Sequence, residues 1–455
     1  MGFPLFDMPV IGNPLLIALD AVLHVFISHG IAIGAMSIIV ISEYLGWRRR
    51  QPEWENFARR LIKPALVMAV AVGAPTGAGI WFITSVIAPR AIGSLLRVFF
   101  WPWFVEWIFF ISEVCLALAY YYTWDRWGSD GKRRHLRLGF LLIFASAGTA
   151  ALITGILGFM LTPDGWPWTR SFWNAFLNPT YLPQLLLRFG EAAFLGSTFA
   201  IFFLMLTRQD AVFRRRALRV FGNTALAGVA AAVAGGLWYF RQIPAAFKPF
   251  LLTSWGIQIF SQRPAFFWTA LALAAASVAL FAVCAKAGLV AAVRGAMAVA
   301  AISALVLVGG FEFVRESVRK PYLVPGYMYS NQILMDEVPY LQAHGLLANS
   351  YWYNATHAAR SVRAEGAWLY QQNCSRCHSV SGFNDIRLRV RGRTQDGIDV
   401  IIRDAHQMVP FMPPFAGSDD ERRILALFLF DLSAGRISPR AVRQLAAYSP
   451  EEAKQ

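Results

Sequence analysis

The sequence predicts an all-α fold, in which a polytopic transmembrane helix bundle of about eight spans precedes a small helical domain. Two observations support this fold class. Of the 455 residues, 56% are hydrophobic and 15% are charged, with a mean hydropathy of +0.45, which is typical of a multi-span membrane protein and excludes an ordinary soluble core. The apolar composition ends near residue 320, and the more polar remainder contains the pattern Cys-x-x-Cys-His.

Each of the apolar runs is long enough to cross a bilayer, which requires about 20 residues in a helix. The predicted spans are residues 15–45, 64–88, 98–123, 137–161, 183–207, 219–240, 264–285 and 289–314. Their number is even, so both ends of the chain are expected on the same side of the membrane.

Basic residues are distributed unequally between the two sides of this bundle. The loops after the odd-numbered spans hold clusters such as Arg48–Arg50 and Arg214–Arg216. The opposite loops hold only Arg90, Arg97, Arg170, Arg241, Lys248 and Arg263. By the positive-inside rule the first set is cytoplasmic, so the net charge of +15 reflects membrane topology and not nucleic-acid binding. Both termini are then expected outside the cytoplasm, in the periplasm of a bacterial inner membrane.

The pentapeptide Cys374-Ser375-Arg376-Cys377-His378 is the attachment pattern of a c-type haem. Cys374 and Cys377 can form thioethers to the two vinyl groups of one porphyrin, and His378 then lies under the iron as an axial ligand. A zinc site is the alternative, but zinc requires two further Cys or His ligands nearby. The other cysteines, Cys115 and Cys284, lie in apolar spans. One covalent haem c is therefore predicted, and its attachment outside the cytoplasm agrees with the charge distribution.

Met412 is the predicted sixth ligand of this haem, because the prolines that follow it would hold its loop over the haem face. A methionine thioether opposite histidine raises the reduction potential of haem iron. Met408 and His406 are the competing candidates for this position, and each has a surface or packing role as its alternative.

The composition divides the chain into four parts. Residues 1–320 form the predicted haem-binding bundle, 321–360 an extracytoplasmic connector, 361–445 a cytochrome c domain and 446–455 a tail. Within the c domain, residues 365–372 predict the helix that leads into the haem motif. Residues 419–433 predict a closing helix, with Ser418 as its N-cap.

Ionisable residues inside a membrane are costly and therefore indicate function. His24 and His29 lie five apart in the first span, about 140° around a helix, so they cannot bind one iron from one face. His24 is the predicted haem ligand, whereas His29 either binds haem or bonds a neighbouring carbonyl. Glu106 and Glu113 in the third span lie two turns apart on one face, where they would carry protons or remain as buried structural acids.

Two further charged groups have simple structural explanations. Arg188 and Glu191, near the start of the fifth span, would form a local ion pair. Charged residues also close the eighth span, where they would form an interfacial cluster whose long side chains reach water; these are Glu312, Arg315, Glu316 and Arg319.

Over about residues 1–325 these features together resemble subunit I of the cytochrome bd oxidase superfamily. The resemblance rests on a first-span histidine followed by small residues (24–34), two third-span acids followed by Trp124-Asp125-Arg126, and the pattern Glu316, Arg319, Pro321, Tyr322 after the last span. It implies that His24 binds the active-site haem and Glu316 a neighbouring high-spin haem b. It also implies that Glu106 and Glu113 line the proton route and active site, and that Arg319 bonds a haem propionate. One or two membrane haems of b or d type are expected.

The chain also departs from the quinol oxidases of that family. They ligate a low-spin haem b through a fifth-span histidine, but Arg188 to Glu191 occupies that region here, and Met297 matches the methionine partner only loosely. The long quinol-binding loop is missing, since only residues 241–263 join the sixth and seventh spans, and a ninth span is absent. The chain therefore resembles an eight-span branch that lacks the usual quinol site and carries a fused monohaem cytochrome c domain.

The expected function is that of a membrane-bound haem oxidoreductase, in which electrons pass between the haem c and the membrane haems towards O2 or a similar small oxidant. One alternative is a quinol-oxidising subunit that exports electrons through its haem c to a periplasmic partner. Another is a non-catalytic anchor that carries electrons within a larger respiratory complex. The expected partners are a second membrane subunit and a c-type cytochrome or other extracytoplasmic redox protein, with quinone as a partner in the first alternative.

Overall fold

The computed structural model describes residues 8, 11–126, 128–252, 262–350, 353 and 361–446. Eight helices within these residues are long and apolar enough to cross a membrane, which confirms the predicted multi-span bundle. The spans, numbered in chain order, are Gly12–Arg49, Pro52–Ile87, Phe100–Tyr122, Gly131–Phe159, Tyr181–Leu206, Ala211–Gln242, Pro264–Lys286 and Val290–Ser317. The predicted tail lies outside the described residues except for Ala446, and so does most of the connector from 351 to 360.

Shorter elements join and follow the spans. The bundle contains the helices Pro89–Val98, Trp166–Thr169 and Phe172–Phe176 and the 3-10 turn Ala245–Phe250, and the fourth span belongs to the helix Gly128–Phe159. After the bundle come the antiparallel strands β1 (Tyr322–Val324) and β2 (Met328–Tyr329), and then the helices Val338–His344, Val362–Asn373, Ile386–Val390, Gln395–Met408, Asp419–Ser433 and Pro439–Ala446.

Three helices begin earlier than predicted, at the end of the bundle that carries the basic clusters. The second span starts at Pro52 instead of 64, the fourth-span helix at Gly128 instead of 137, and the sixth span at Ala211 instead of 219. Local signals explain two of these starts: proline is favoured in the first helical turn, and the Asp210 side chain caps its helix by accepting from two backbone N–H groups. The basic residues therefore lie on helical extensions, which hydropathy alone cannot distinguish from loops.

The first and second spans each contain a π-helical segment, Ser28–Ala35 and Ala69–Gly73. Pro75 follows the second of these and has no backbone N–H, so the regular α-helical hydrogen-bond pattern cannot be completed there. The carbonyl of Gly73, in the same irregular segment, accepts from the Thr76 hydroxyl at 3.0 Å. Single π segments inside α-helices occur frequently at functional sites.

A buried polar cluster joins the first, third and fourth spans at the basic end of the bundle. Glu43 is fully buried and accepts from Lys132 Nζ at 2.8 Å, from His135 Nδ1 at 2.7 Å and from the Tyr120 hydroxyl. Lys132 also pairs with Glu55 of the second span at 2.6 Å. The predicted start of the fourth span at residue 137 excluded His135, but this histidine lies inside the span and is 2% exposed.

We expect Glu43 to stabilise the fold through this cluster. The substitution Glu43→Ala leaves the buried Lys132 and His135 without their shared carboxylate, and breaking a buried charge pair typically costs about 3–5 kcal/mol. Thermal melting of the detergent-solubilised protein should therefore start at a lower temperature. Glu53→Ala, at an exposed position on the same end, is the control and should leave the melting temperature unchanged. Equal melting temperatures for the two variants would contradict a structural role for the cluster.

The helix Asp419–Ser433 coincides with its prediction, and Ser418 forms a full capping box with Glu421. The Glu421 carboxylate also accepts from the backbone N–H groups of Leu346 and Leu347, both at 2.7 Å, which ties the connector to the c domain. The helix Pro439–Ala446 follows, so Asp419–Ser433 does not close the domain as predicted.

Candidate haem sites

The Cys-x-x-Cys-His motif forms a tight helical turn directly after the helix Val362–Asn373. The backbone N–H groups of Cys377 and His378 donate to the Cys374 carbonyl at 3.0 and 2.9 Å. The Tyr370 hydroxyl, from the preceding helix, donates to the His378 carbonyl at 2.7 Å. The motif is thus held at both ends of its turn, with the two thiols three residues apart on one turn of backbone.

The His378 ring is oriented for ligation. Its Nδ1 lies 3.3 Å from the Asn384 carbonyl, to which it donates, so that Nε2 carries the free lone pair. Burial lowers the pKa of His378 to about 4, and the imidazole is therefore neutral at physiological pH. Metal-bound histidines usually donate their second nitrogen to such a carbonyl, so the site fits an axial haem ligand.

The Met412 loop is held next to this motif by two sets of hydrogen bonds. His406 Nδ1 donates to the Met412 carbonyl at 2.6 Å. Asn373, which precedes the haem motif, bonds the backbone N–H of Ala416 at 3.1 Å and so joins the two ligand segments. His406 therefore supports the loop, and Met408 is 62% exposed at the end of its helix. This arrangement fits Met412 as the sixth ligand, an assignment that remains a prediction.

Replacing Met412 with alanine should lower the reduction potential of haem c, because it removes a thioether that favours reduced iron. Redox titration of the haem c absorbance of the purified protein measures the change. Met408→Ala is the matched control and should leave the potential unchanged. The opposite pattern would assign the sixth position to Met408, and no shift in either variant would leave it to His406 or to an open site.

The c domain contacts the bundle where the first span begins. Gly12 has φ +75°, and a Cβ at this position would lie 3.7 Å from the Phe383 carbonyl oxygen and 3.8 Å from Cβ of Ser379, the residue after His378. The connector adds a second attachment, because the Gln332 side chain accepts from the backbone N–H of Arg90 at 3.1 Å. The haem c motif therefore lies at the N-terminal end of the first span, the span that contains His24.

His24 is held against the irregular part of the second span. Its Nδ1 lies 3.1 Å from the Gly73 carbonyl and 3.2 Å from the Thr76 hydroxyl, and in the described part of the chain its Nε2 makes no hydrogen bond. Gly77 allows the ring to approach, since a Cβ there would be 2.9 Å from Cε1 of His24. A histidine with Nδ1 tied to a carbonyl and Nε2 free fits an axial haem ligand.

Glu316 and Arg319 lie together at the end of the eighth span. Arg319 Nε donates to Glu316 Oε2 at 3.0 Å, and Lys320 Nζ lies 3.2 Å from Oε1. Each carboxylate oxygen has two lone pairs, so Glu316 keeps the capacity to bind iron. Arg319 Nη1 donates to the Leu323 carbonyl at 3.1 Å, so this guanidinium forms hydrogen bonds with both Glu316 and the connector. The ligand role of Glu316 and the propionate role of Arg319 remain predictions.

The third-span acids differ in their surroundings. Glu113 accepts from the Ser146 hydroxyl of the fourth span at 2.7 Å, and the same hydroxyl lies 3.4 Å from the Ala32 carbonyl in the π segment of the first span. Glu106 is half-buried two turns away on the same helix. Glu113 thus lies between three spans, as expected for a proton-carrying residue, and both roles remain predictions.

Residues 15–243 match the profile of the family described as cytochrome bd terminal oxidase subunit I. The chain belongs to this family. Residues 362–429 match the family described as cytochrome C oxidase, cbb3-type, subunit III, so this bd-type subunit I carries a C-terminal cytochrome c domain. It is thus a membrane haem electron-transfer oxidoreductase that contains haem c and haem of the bd type.

The fold of this subunit I is similar to the structure of bd oxidase from Geobacillus thermodenitrificans. The TM-score is 0.57 at 18% identity, and the similarity covers 70% of this chain and 89% of that chain. At this identity the similarity shows the fold alone. No curated protein matches the chain.

Sequence reasoning missed an ion network between the first, fifth and eighth spans of this subunit I. Glu191 lies 3.2 Å from His29 Nδ1, and Arg188 lies 3.4 Å from His29 Nε2. Arg188 Nη2 also donates to Glu312 at 3.0 Å, and Arg315 donates to the other oxygen of Glu312 at 2.8 Å. The expected local pair of Arg188 with Glu191 is wrong, because each binds another span.

The charges at the end of the eighth span are also more buried than expected. Glu312 is 8% exposed and Arg319 is 5% exposed, so they do not form an interfacial cluster that reaches water. Met297, which loosely matches the methionine haem ligand of the quinol oxidases, packs against the large hydrophobic cluster that contains Trp54 and Phe213, at the basic end of the bundle. No sequence signal indicated the partners in the ion network, since they lie on different spans.

Replacing His24 with alanine should remove a membrane-haem signal while leaving the haem c signal intact, because only the bundle loses a ligand. Pyridine haemochrome spectra of the purified protein measure both haem types in one sample. His344→Ala, at an exposed position in the connector, is the control. An unchanged membrane-haem content in the His24→Ala variant would exclude His24 as a ligand.

Proposed function

We propose that this subunit I accepts electrons from an extracytoplasmic donor at its haem c and passes them to haem in the bundle, where O2 or a similar small oxidant is reduced. The observation that carries the proposal is the contact between the segment after His378 and the start of the first span at Gly12. This contact puts the c domain at the end of the bundle where the eighth span carries Glu316, and short separations favour electron transfer.

The proposed roles follow from the contacts of each residue. Cys374, Cys377, His378 and Met412 hold haem c. His24 and Glu316 bind haem in the bundle, and these haem groups supply the electron-carrying and oxidant-reducing chemistry. Arg319 keeps the Glu316 carboxylate in place through its hydrogen bonds.

Glu113 and Glu106 are the proposed proton carriers. Reduction of an oxidant such as O2 consumes protons, and uncompensated charge within a membrane is costly. Glu113 can exchange a proton with the Ser146 hydroxyl, which it contacts, and the carboxyl of Glu106 continues this line along the third span.

We also propose a second membrane subunit that covers the third span. Little of this span is buried within the described chain, and the side chain of its Glu106 is only half-buried. A carboxyl group facing lipid is costly, so a protein partner fits this face better than lipid does. The donor side of the c domain would contact a c-type cytochrome or another extracytoplasmic redox protein, and the protein would lie in a bacterial inner membrane with both termini outside.

The test is oxygen consumption by the purified, haem-typed complex when a small reductant reduces it through haem c. We expect sustained consumption, a CO-reactive haem in the reduced spectrum, and loss of consumption in a Cys374→Ala, Cys377→Ala double variant that retains its membrane haem. If the complex contains haem c alone, the proposal is wrong and the protein is a non-catalytic anchor. If menaquinol reduces haem c and a quinone-site inhibitor blocks this reaction, electrons flow in the opposite direction, from quinol to haem c.

A further inference from the structure

The ion network at the c-domain end of the bundle contains a carboxyl group and an imidazole that the proposed function does not use. It joins Glu191 of the fifth span to His29 of the first and, through Arg188, to Glu312 of the eighth. All four residues are at most 8% exposed. Such a network deep in an apolar bundle is costly unless its charges balance, so its protonation state can be derived from its hydrogen bonds.

The tautomer of His29 follows from its neighbours. A guanidinium only donates, so the contact with Arg188 makes His29 Nε2 an acceptor. Nδ1 must then carry the ring proton and donate to Glu191 Oε2, which accepts it. Both ring nitrogens are therefore occupied, which leaves His29 neutral and unavailable to iron.

The network is electrically neutral when both of its carboxyl groups are ionised. Arg188 and Arg315 are positive, Glu312 and Glu191 are negative, and His29 is neutral. The two carboxylates are not equivalent, because Glu312 contacts both guanidinium groups at 3.0 and 2.8 Å, whereas Glu191 contacts only the imidazole N–H. Glu191 is the less stabilised carboxylate and therefore the first group in the network to accept a proton.

The network is also close along the chain to both proposed ligands of the membrane haem. His29 follows His24 by five residues, about 7.5 Å along a helix, and Arg315 directly precedes Glu316. Tyr239 of the sixth span is a further neighbour, since its buried hydroxyl has no hydrogen bond within the described residues and it interacts electrostatically with Arg315, Glu312 and Arg188. Arg188 and Glu312 are the charged groups that act on Glu191 electrostatically.

We propose that Glu191 is a redox-linked protonation site, which accepts one proton for each electron that enters the bundle next to it. The carboxylate becomes a carboxylic acid, and the charge of the network rises from zero to one positive charge, which compensates the added electron. His29 positions Glu191 and does not accept the proton itself, because the Arg188 guanidinium faces its only free lone pair. This inference rests on the proposed function, since it requires a haem on His24 or Glu316.

The test is a spectroelectrochemical titration of the full-length holoprotein at several pH values, with haem c as the internal reference. In the wild type the midpoint potential of the membrane haem should fall as pH rises, because proton uptake on reduction becomes less favourable. In Glu191→Gln this dependence should be lost, whereas that of haem c should not change. Glu53→Gln, at an exposed position, is the matched control and should behave like the wild type.

Infrared difference spectra of the reduced minus the oxidised protein give a second measurement. A carboxylic acid band should appear on reduction, shift in D2O and be missing in Glu191→Gln. If that variant does not fold, Glu312→Gln tests the same idea. This substitution removes a negative charge from Arg188, so the positive charge next to Glu191 increases and favours its ionised form. The pH range over which the membrane-haem potential changes should then move to lower pH.

The proposal is wrong if the membrane haem of the wild type has a pH-independent potential, or if Glu191→Gln keeps both the pH dependence and the infrared band. These results would leave the proposed function intact. A protein without any membrane haem would instead remove the proposed function, and this inference with it.

Discussion

Charged side chains inside an apolar helix bundle require opposite charges nearby, and the buried polar contacts between spans provide them. Arg188 of the fifth span binds Glu312 of the eighth, and Glu191 binds His29 of the first. At the other end of the bundle Glu43 collects three donors from two further spans. Because removing one partner leaves an unpaired charge in a low-dielectric interior, each contact fixes the position of a span relative to its neighbours.

Backbone irregularity provides the second means of placing functional groups. The second span is irregular at Ala69–Gly73, next to Pro75, and the carbonyl of Gly73 in this segment lies 3.1 Å from His24 Nδ1. The π segment of the first span contains both His29, which contacts the ion network, and Ala32, whose carbonyl faces Ser146 and through it Glu113. The π segment of the first span thus contributes to both the ion network and the proposed proton route.

The c domain is both tethered to the bundle and docked on it. The connector follows the eighth span directly, and it is fixed to the bundle by Gln332 and to the c domain by Glu421. A tether of this kind raises the effective concentration of the two haem-binding parts for each other. Electron transfer between them then does not depend on diffusion of a separate cytochrome, which suits the proposed route from haem c to the bundle.

Features that are local along the chain could be predicted from the residues alone. The eight spans could be predicted because crossing a bilayer depends on the length of an apolar run, and the haem c motif could be predicted because Cys374, Cys377 and His378 are adjacent in sequence. The helix Asp419–Ser433 was also predictable, since its cap is local. His24 is recognisable as an ionisable residue in an apolar span, and its role as a haem ligand remains a prediction.

The pairing of charges between spans could not be predicted and is visible only in the folded bundle. His29 and Glu191 are 162 residues apart, and Arg188 and Glu312 are 124 residues apart, so no spacing rule connects them. Sequence reasoning assigned Arg188 to its near neighbour Glu191, and it placed His135 in a loop, because it could not see that partners on other spans permit burial. Pairing across spans is a property of helix packing, and the pattern along one helix does not contain it.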